Sequence, residues 1–286
     1  MAAFDPDVVS EVELSRRAHR RREARRSVLV AVASTLVFAA VIAVVLANSP
    51  GWQVTRETFL SPQYFVEALP AVASGLWLNI RVLAVAVLGV AVLAVLLATM
   101  RSLRGPVFFP LRVLSAAYTD LFRGMPFIIV LYLIGFGIPA LGLVDHVIPV
   151  ALLGTVALVL TYSSYVAEVL RAGLEAVHPS QRLAARSMGL SHGKTLRFVI
   201  IPQAVRKVTP ALMNDFISMQ KDVGLISVLG AVDAVRAAQI HQGQTYNFTA
   251  YVVAGVLFVL ISWPFIRLSD WYSARLRERE QAGGMV

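Results

Sequence analysis

The sequence predicts an all-α, polytopic membrane helical bundle, and three observations carry that reading. The chain has 286 residues, of which 57% are hydrophobic and 15% charged, with a mean hydropathy of +0.70. That is too apolar for a soluble domain of this length. Several runs are long enough to cross a bilayer, and the basic residues are gathered between them. A chain inside hydrocarbon must satisfy its backbone internally, so such runs are read as helices.

Composition removes other classes. There are no cysteines, which excludes disulfides, thiol catalysis and cysteine metal sites. The net charge of +9 could suggest a nucleic-acid partner. Here the charges flank apolar runs, so they are read as residues that hold loops on one side of a membrane, with no nucleic-acid role.

In chain order, residues 1–26 form a basic tail ending in RRAHRRREARR, expected to lie near anionic membrane lipid. Ser27 to Ala47 carries no charge. At 1.5 Å per residue it spans the ~30 Å hydrocarbon layer. It exceeds the ~7–15-residue apolar core of a signal peptide, so it is expected to be retained as a transmembrane helix. Residues 48–74 contain Pro50, Gly51, Pro62 and Pro70 and are read as an external loop with a short interfacial helix. The second span is Gly75 to Met100, with Arg81 near its outer end.

Arg101 to Phe122 mixes charge with apolar residues and is expected to be an amphipathic helix. Gly124 and Pro126 interrupt it, and a third span runs to about Gly137. Ile138 to Val147 is read as a short outer loop. The fourth span covers Ile148 to Val169, and the fifth, unusually polar, Val205 to Leu229. Gly230 to Asn247 is read as external, Phe248 to Leu268 as the sixth span, and residues 269–286 as a tail.

Loop charge sets the orientation. Of 26 Lys and Arg, 22 fall in the N-terminal tail, 101–123, 171–207 and the region after 267, against two in the proposed outer loops. That bias places both termini in the cytoplasm of a multi-pass protein of the cytoplasmic membrane.

The most informative stretch is the hydrophilic island Glu168 to Gln203, EVLRAGLEAVHPSQRLAARSMGLSHGKTLRFVIIPQ. Pro179 followed by Ser180 is a helix start with Ser180 as the expected cap. Ala184, Ala185, Ser187 and Gly189 leave a short helix with small side chains, which permits close approach of another backbone. Gly189 can take the left-handed conformation that closes the helix, and Ser191 can cap the next one. Gly189 to Thr195 superficially resembles a phosphate-binding loop. It has three residues between its glycines where four are needed, so this chain is not expected to bind nucleotide. The five histidines, His19, His146, His178, His192 and His241, are dispersed. They are read as solvent-facing and without metal-ligand spacing.

Leu183-Ala184-Ala185, then Gly189, then Val199-x-Ile201-Pro202 resembles the E-A-A-x3-G-x9-I-x-L-P pattern of ABC import permeases. The flanks GLEAVHPSQRLAARSMGLS and VIIPQAVRKVTPALMNDFIS look like the polar amino-acid subfamily. LFRGMP, Leu121 to Pro126, is similar to that family's FRGTP box, and NDFISMQKDVGLISVLG to its N-E-x-I-x-L-x-K-D-T-S-L run. Leu183 stands where the family has Glu. With Ser180 as cap it would occupy the third helical position and forfeit a capping box.

The resemblance, over about Gly75 to Leu268, implies a five-helix permease core at 75–268 preceded by one added helix. It assigns a coupling loop at 171–203, with Ser180, Leu183, Ala184, Ala185, Gly189 and Pro202 facing an ATPase subunit. It also implies a second permease, a solute-binding protein outside the membrane, and ATP with Mg bound by the separate ATPase. No cofactor and no catalytic residue are expected on this chain.

Charges in the fifth span point to a pathway. Asp215 and Asp222 are seven residues apart. At ~100° and 1.5 Å per residue they share one helix face about 10.5 Å apart, whereas Lys221 lies ~100° round. Asp215, Asp222 and Asn214 are therefore the candidate substrate contacts. A secondary transporter or a membrane-embedded enzyme is the alternative; neither the inverted repeats of the first nor the nucleophile or metal cluster of the second is visible.

Overall fold

A computed structural model of the chain describes residues 11–103, 105–142 and 148–283. Every regular element among them is helical, and they fall into two units, residues 1–58 and 59–286.

The first unit holds α1, Glu11–Ala47, and most of α2, Trp52–Phe59. The described part of α1 already begins at Glu11, so part of the expected polar tail is continuous with the apolar run. The stretch Arg22–Ala47 is long and apolar enough to cross a membrane.

The second unit is built on α3, Pro62–Ser102, and α7, Val150–Glu175, which pack along each other. α3 begins well before the expected Gly75. Residues 62–74 are helical rather than loop, because Pro62 occupies the first turn, where its missing N–H costs nothing. Pro70 is accommodated within the helix. Lipid offers no hydrophobic drive for helix association, so packing relies on small residues and close contact. α3 accordingly buries Ala86, Val90 and Ala94 at four-residue intervals, with Leu158 and Ala167 of α7 in the same clusters.

Two broken segments flank this pair. The first is α4, Phe109–Gly124, followed by α5, Phe127–Tyr132, a π-helical turn over Leu133–Gly137 and α6, Ile138–Ala140. The chain bends by 104° at Met125–Pro126. Met125 is extended, as the residue before a proline prefers. Polar side chains fix α4: Ser115 Oγ donates to the Leu97 carbonyl at 2.8 Å, and Tyr118 Oη to the Leu160 carbonyl at 2.8 Å. The expected outer loop lies partly in α6; His146 and the rest of 143–147 fall outside the described residues.

After α7 come α8, Pro179–Ser187, and α9, His192–Thr195, and then a π-helical turn over Leu196–Ile200. The second broken segment follows: α10, Ile201–Asp222, then a 3-10 stretch over Val223–Leu229, then α11, Ala234–Thr245. The bend between them is 51°. The region 230–247, expected as an external loop, is thus largely helix. Ala234, Ala237 and Ala238 are buried against the N-terminal half of α3 and against α12, Thr249–Gly283. The expected C-terminal tail continues α12 as helix to Gly283. Among the described residues, four helices can cross a membrane by length and composition, six if each bent pair counts as one span.

Candidate functional site

Asp215 and Asp222 lie on α10 and line one pocket of about 320 Å³. Its opposite wall is Thr161, Tyr162 and Tyr165 of α7, and its rim is Met125, Pro126 and Phe127 at the 104° bend. The FRGMP box and the KD run, distant in sequence, therefore meet at one place. The bend turns the α5 start toward α10, and Pro126 leaves it without a donor to continue α4.

The two carboxylates have different surroundings. Tyr162 Oη donates to Asp222 Oδ2 at 2.8 Å. Asp215 Oδ2 is buried and accepts no hydrogen bond from any described residue. The hydroxyl of Thr161, on the facing wall, is in the same position. Arg123, next to the bend, is the basic group whose field reaches Asp215. Asn214 is exposed and does not line the pocket, so it stands apart from the two aspartates it was grouped with. Lys221 is exposed on another face.

Behind the pocket a buried polar knot holds the end of α10. Asn79 of α3 donates to the Val223 carbonyl at 3.2 Å and to Asp233 Oδ2 at 2.9 Å, and accepts from Ala234 N–H at 3.1 Å. Asp233 Oδ1 caps α11 by accepting from Arg236 N–H at 2.8 Å. Asp233 is fully buried. Gly75 makes this possible, since a Cβ there would overlap the Asp233 and Ala234 backbone. A second link is the bond from Ser262 Oγ to Gln220 Oε1, which joins α12 to α10. Asn79, Tyr162, Thr161 and Asp233 were not picked out from sequence. A lone amide in an apolar run and an aspartate heading a helix were the available signals.

The island folds back on the ends of α7 and α10. Val177, Ile200 and Ala204 form a small core beneath it, and Lys207 Nζ donates to the Ala176 carbonyl at 2.8 Å. α8 is capped by His178, whose Nδ1 accepts from Ser180 N–H at 3.2 Å. The expected cap, Ser180, is instead an exposed residue of the first turn, with its hydroxyl 2.7 Å from the same nitrogen. This moves the register: Gln181 holds the third helical position, so Leu183 forfeits no capping box. Leu183 is 69% exposed, as an apolar anchor would be.

Ala184 faces out, whereas Ala185 is 1% exposed and packs inward. Ala185 is therefore not a docking surface, and its small size serves the loop's own packing. Gly189 has φ of +83°, and Leu190 N–H returns to the Ala185 carbonyl at 3.2 Å while Gly189 N–H returns to Arg186 at 3.0 Å. That is a Schellman closure, which a Cβ would strain. Ser191 caps α9 by accepting from Lys194 N–H at 3.4 Å. Pro202 is exposed in the first turn of α10. His241 differs from the solvent-facing expectation. It packs edge-on against Tyr64, with its Nδ1 buried.

Residues 92–279, which contain both the pocket and the loop, match the family model described as the binding-protein-dependent transport system inner membrane component. The chain belongs to this family. It is a multi-pass permease subunit of an ABC transporter rather than an enzyme, and the secondary-transporter alternative falls away. Members of the family work with ATPase subunits and a binding protein.

Two relatives and one solved structure illustrate the match. The arginine transport system permease ArtQ of Bacillus subtilis is 29% identical to the permease, over 68% of this chain and 88% of its own. The nopaline transport system permease NocQ of Agrobacterium fabrum is 33% identical over 60% and 79%. The crystal structure of an amino acid ABC transporter with histidines aligns at TM-score 0.69 and 33% identity. The alignment covers 76% of this chain and 99% of that one.

Proposed function

We propose that the permease forms the pathway for uptake of a polar amino acid. The observation that carries this is the shared pocket of Asp215 and Asp222, with a buried carboxylate oxygen on Asp215 that no described residue satisfies. Carboxylates at membrane depth are costly and mark pathways. Every amino acid brings an α-ammonium to meet one. The pocket volume of about 320 Å³ lies at the small end of ligand sites, which run from ~300 to 1,000 Å³. The arginine and nopaline permeases among the relatives carry amino-acid-derived substrates by name, which supports the class.

The loop at 180–190 is assigned to coupling. Exposed Leu183 and Ala184 dock on the ATPase, Ser180 and Gly189 shape the helix they stand on, and Pro202 starts α10 behind it. A second permease completes the pathway, an extracytoplasmic solute-binding protein delivers substrate, and ATP with Mg stays on the ATPase subunits. Both termini are cytoplasmic. Nucleotide binding closes the ATPase pair, moves the loops and exchanges outward for inward access. Reconstitution with the partner ATPase and binding protein in liposomes tests the proposal. ATP-dependent accumulation of a labelled amino acid is expected, and accumulation without the ATPase would contradict it.

A further inference from the structure

Where α3 and α7 end, an apolar groove adjoins a basic pocket. The groove, about 360 Å³, is walled by residues that include Val95, Ala98, Val205 and Val208. The pocket, about 390 Å³, carries Arg101, Arg171, Arg182, His192 and Glu175. Ser102, Leu174 and Leu196 belong to both walls, so one elongated molecule could occupy the two.

The guanidinium groups are unequally engaged. Arg171 is held by Glu168 at 2.5 Å and Glu175 at 2.6 Å. Arg101 reaches Glu168 only at 3.3 Å, with one nitrogen. Among the described residues, Arg182 makes a single 3.4 Å bond, to the Leu174 carbonyl. Each guanidinium has five N–H donors, so Arg101 and Arg182 retain donors for a phosphate, which arginine binds in a fork geometry. On the groove side Val95 and Val205 are exposed, at 56% and 48%, and in a multi-pass protein such a face meets acyl chains.

We propose that an anionic glycerophospholipid docks here, with an acyl chain in the groove and its headgroup phosphate on Arg101 and Arg182. Basic pockets between membrane helices are suited to such headgroups. Neither a free anion nor a zwitterionic lipid fits as well: phosphate alone leaves the groove unused, and phosphatidylcholine brings the same phosphate together with a quaternary ammonium that the arginines repel. Arg182 belongs to α8, His192 to α9 and Leu196 to the π turn. The lipid would thus brace the 171–203 loop against α3.

The test uses the complete permease–ATPase complex, with native mass spectrometry after addition of dioleoyl-phosphatidylglycerol, dioleoyl-phosphatidylcholine or inorganic phosphate. Preferential retention of phosphatidylglycerol, by roughly tenfold, is expected for the unaltered complex, and Arg182→Gln should lower it by a similar factor. Equal retention of both lipids, or displacement of phosphatidylglycerol by millimolar phosphate, overturns the proposal. A second arm does not depend on Arg182. The chain has no cysteine, so Val205→Cys, labelled with bimane in detergent before reconstitution, gives a single reporter on it. In vesicles, brominated phosphatidylglycerol should quench the reporter several-fold more than brominated phosphatidylcholine at the same mole fraction. Equal quenching by the two lipids, or quenching by neither, would also overturn the proposal.

Discussion

The Asn79 amide donates to Asp233 Oδ2 at 2.9 Å across 154 residues of chain. The same side chain bonds the Val223 carbonyl and the Ala234 N–H, so one amide fixes both sides of the break between α10 and α11. Asn79→Leu keeps the bulk and leaves a buried carboxylate short of a donor. Such a loss costs about 1–3 kcal/mol. The melting temperature of the purified permease–ATPase complex should fall by several degrees, read by scanning fluorimetry.

Leu183 and Ala185 are two residues apart and face opposite ways. Leu183→Arg changes the exposed side chain proposed to dock on the ATPase, so membrane abundance should stay normal while co-purification of the ATPase falls at least tenfold, a hot-spot-sized loss. Ala185→Glu forces a charge into a site 1% exposed. It should first reduce the amount of folded permease, measured by immunoblot and size-exclusion profile.

Tyr162→Phe removes the hydroxyl that donates to Asp222 at 2.8 Å. The carboxylate keeps its place and loses its only described side-chain donor. A hydrogen bond to a charged group contributes about 1.5–3 kcal/mol, so the uptake rate at low substrate should change about tenfold or more while abundance holds. Initial-rate measurements over a range of substrate concentrations check this.

Much of the site was legible because its residues are chemically conspicuous. Two aspartates in an apolar span, a proline after Arg-Gly and a polar island between spans each violate their surroundings, and each proved to sit at the pocket or in the loop. What stayed hidden depends on partners far away in sequence. Residues 234–245 read as loop because half of them are Gln, His, Arg or Gly, yet the three buried alanines fit α3 and α12. Asn79 stands out as a lone amide in an apolar run, but its pairing with Asp233 across 154 residues is set only by the fold. The α8 cap shifted by two residues because a histidine ring nitrogen can serve where a serine hydroxyl was the stronger prior.

Reporter fusions test orientation. Fusions after Arg26, within Ile138 to Val147 and after Arg279 should read inside, outside and inside, as the loop charge bias requires. An outside signal after Arg279 would remove one span from the proposed six.

Asp215→Asn and Asp222→Asn keep side-chain shape and remove charge from the pocket that defines the proposed pathway. The decisive measurement is binding-protein-dependent uptake of labelled amino acid into liposomes, with membrane incorporation and ATPase assembly measured on the same preparations. Each variant should assemble normally and lose uptake by at least tenfold, the loss expected when a charged contact disappears from a desolvated site. Wild-type rates in both variants at every substrate concentration would contradict a pathway through this pocket.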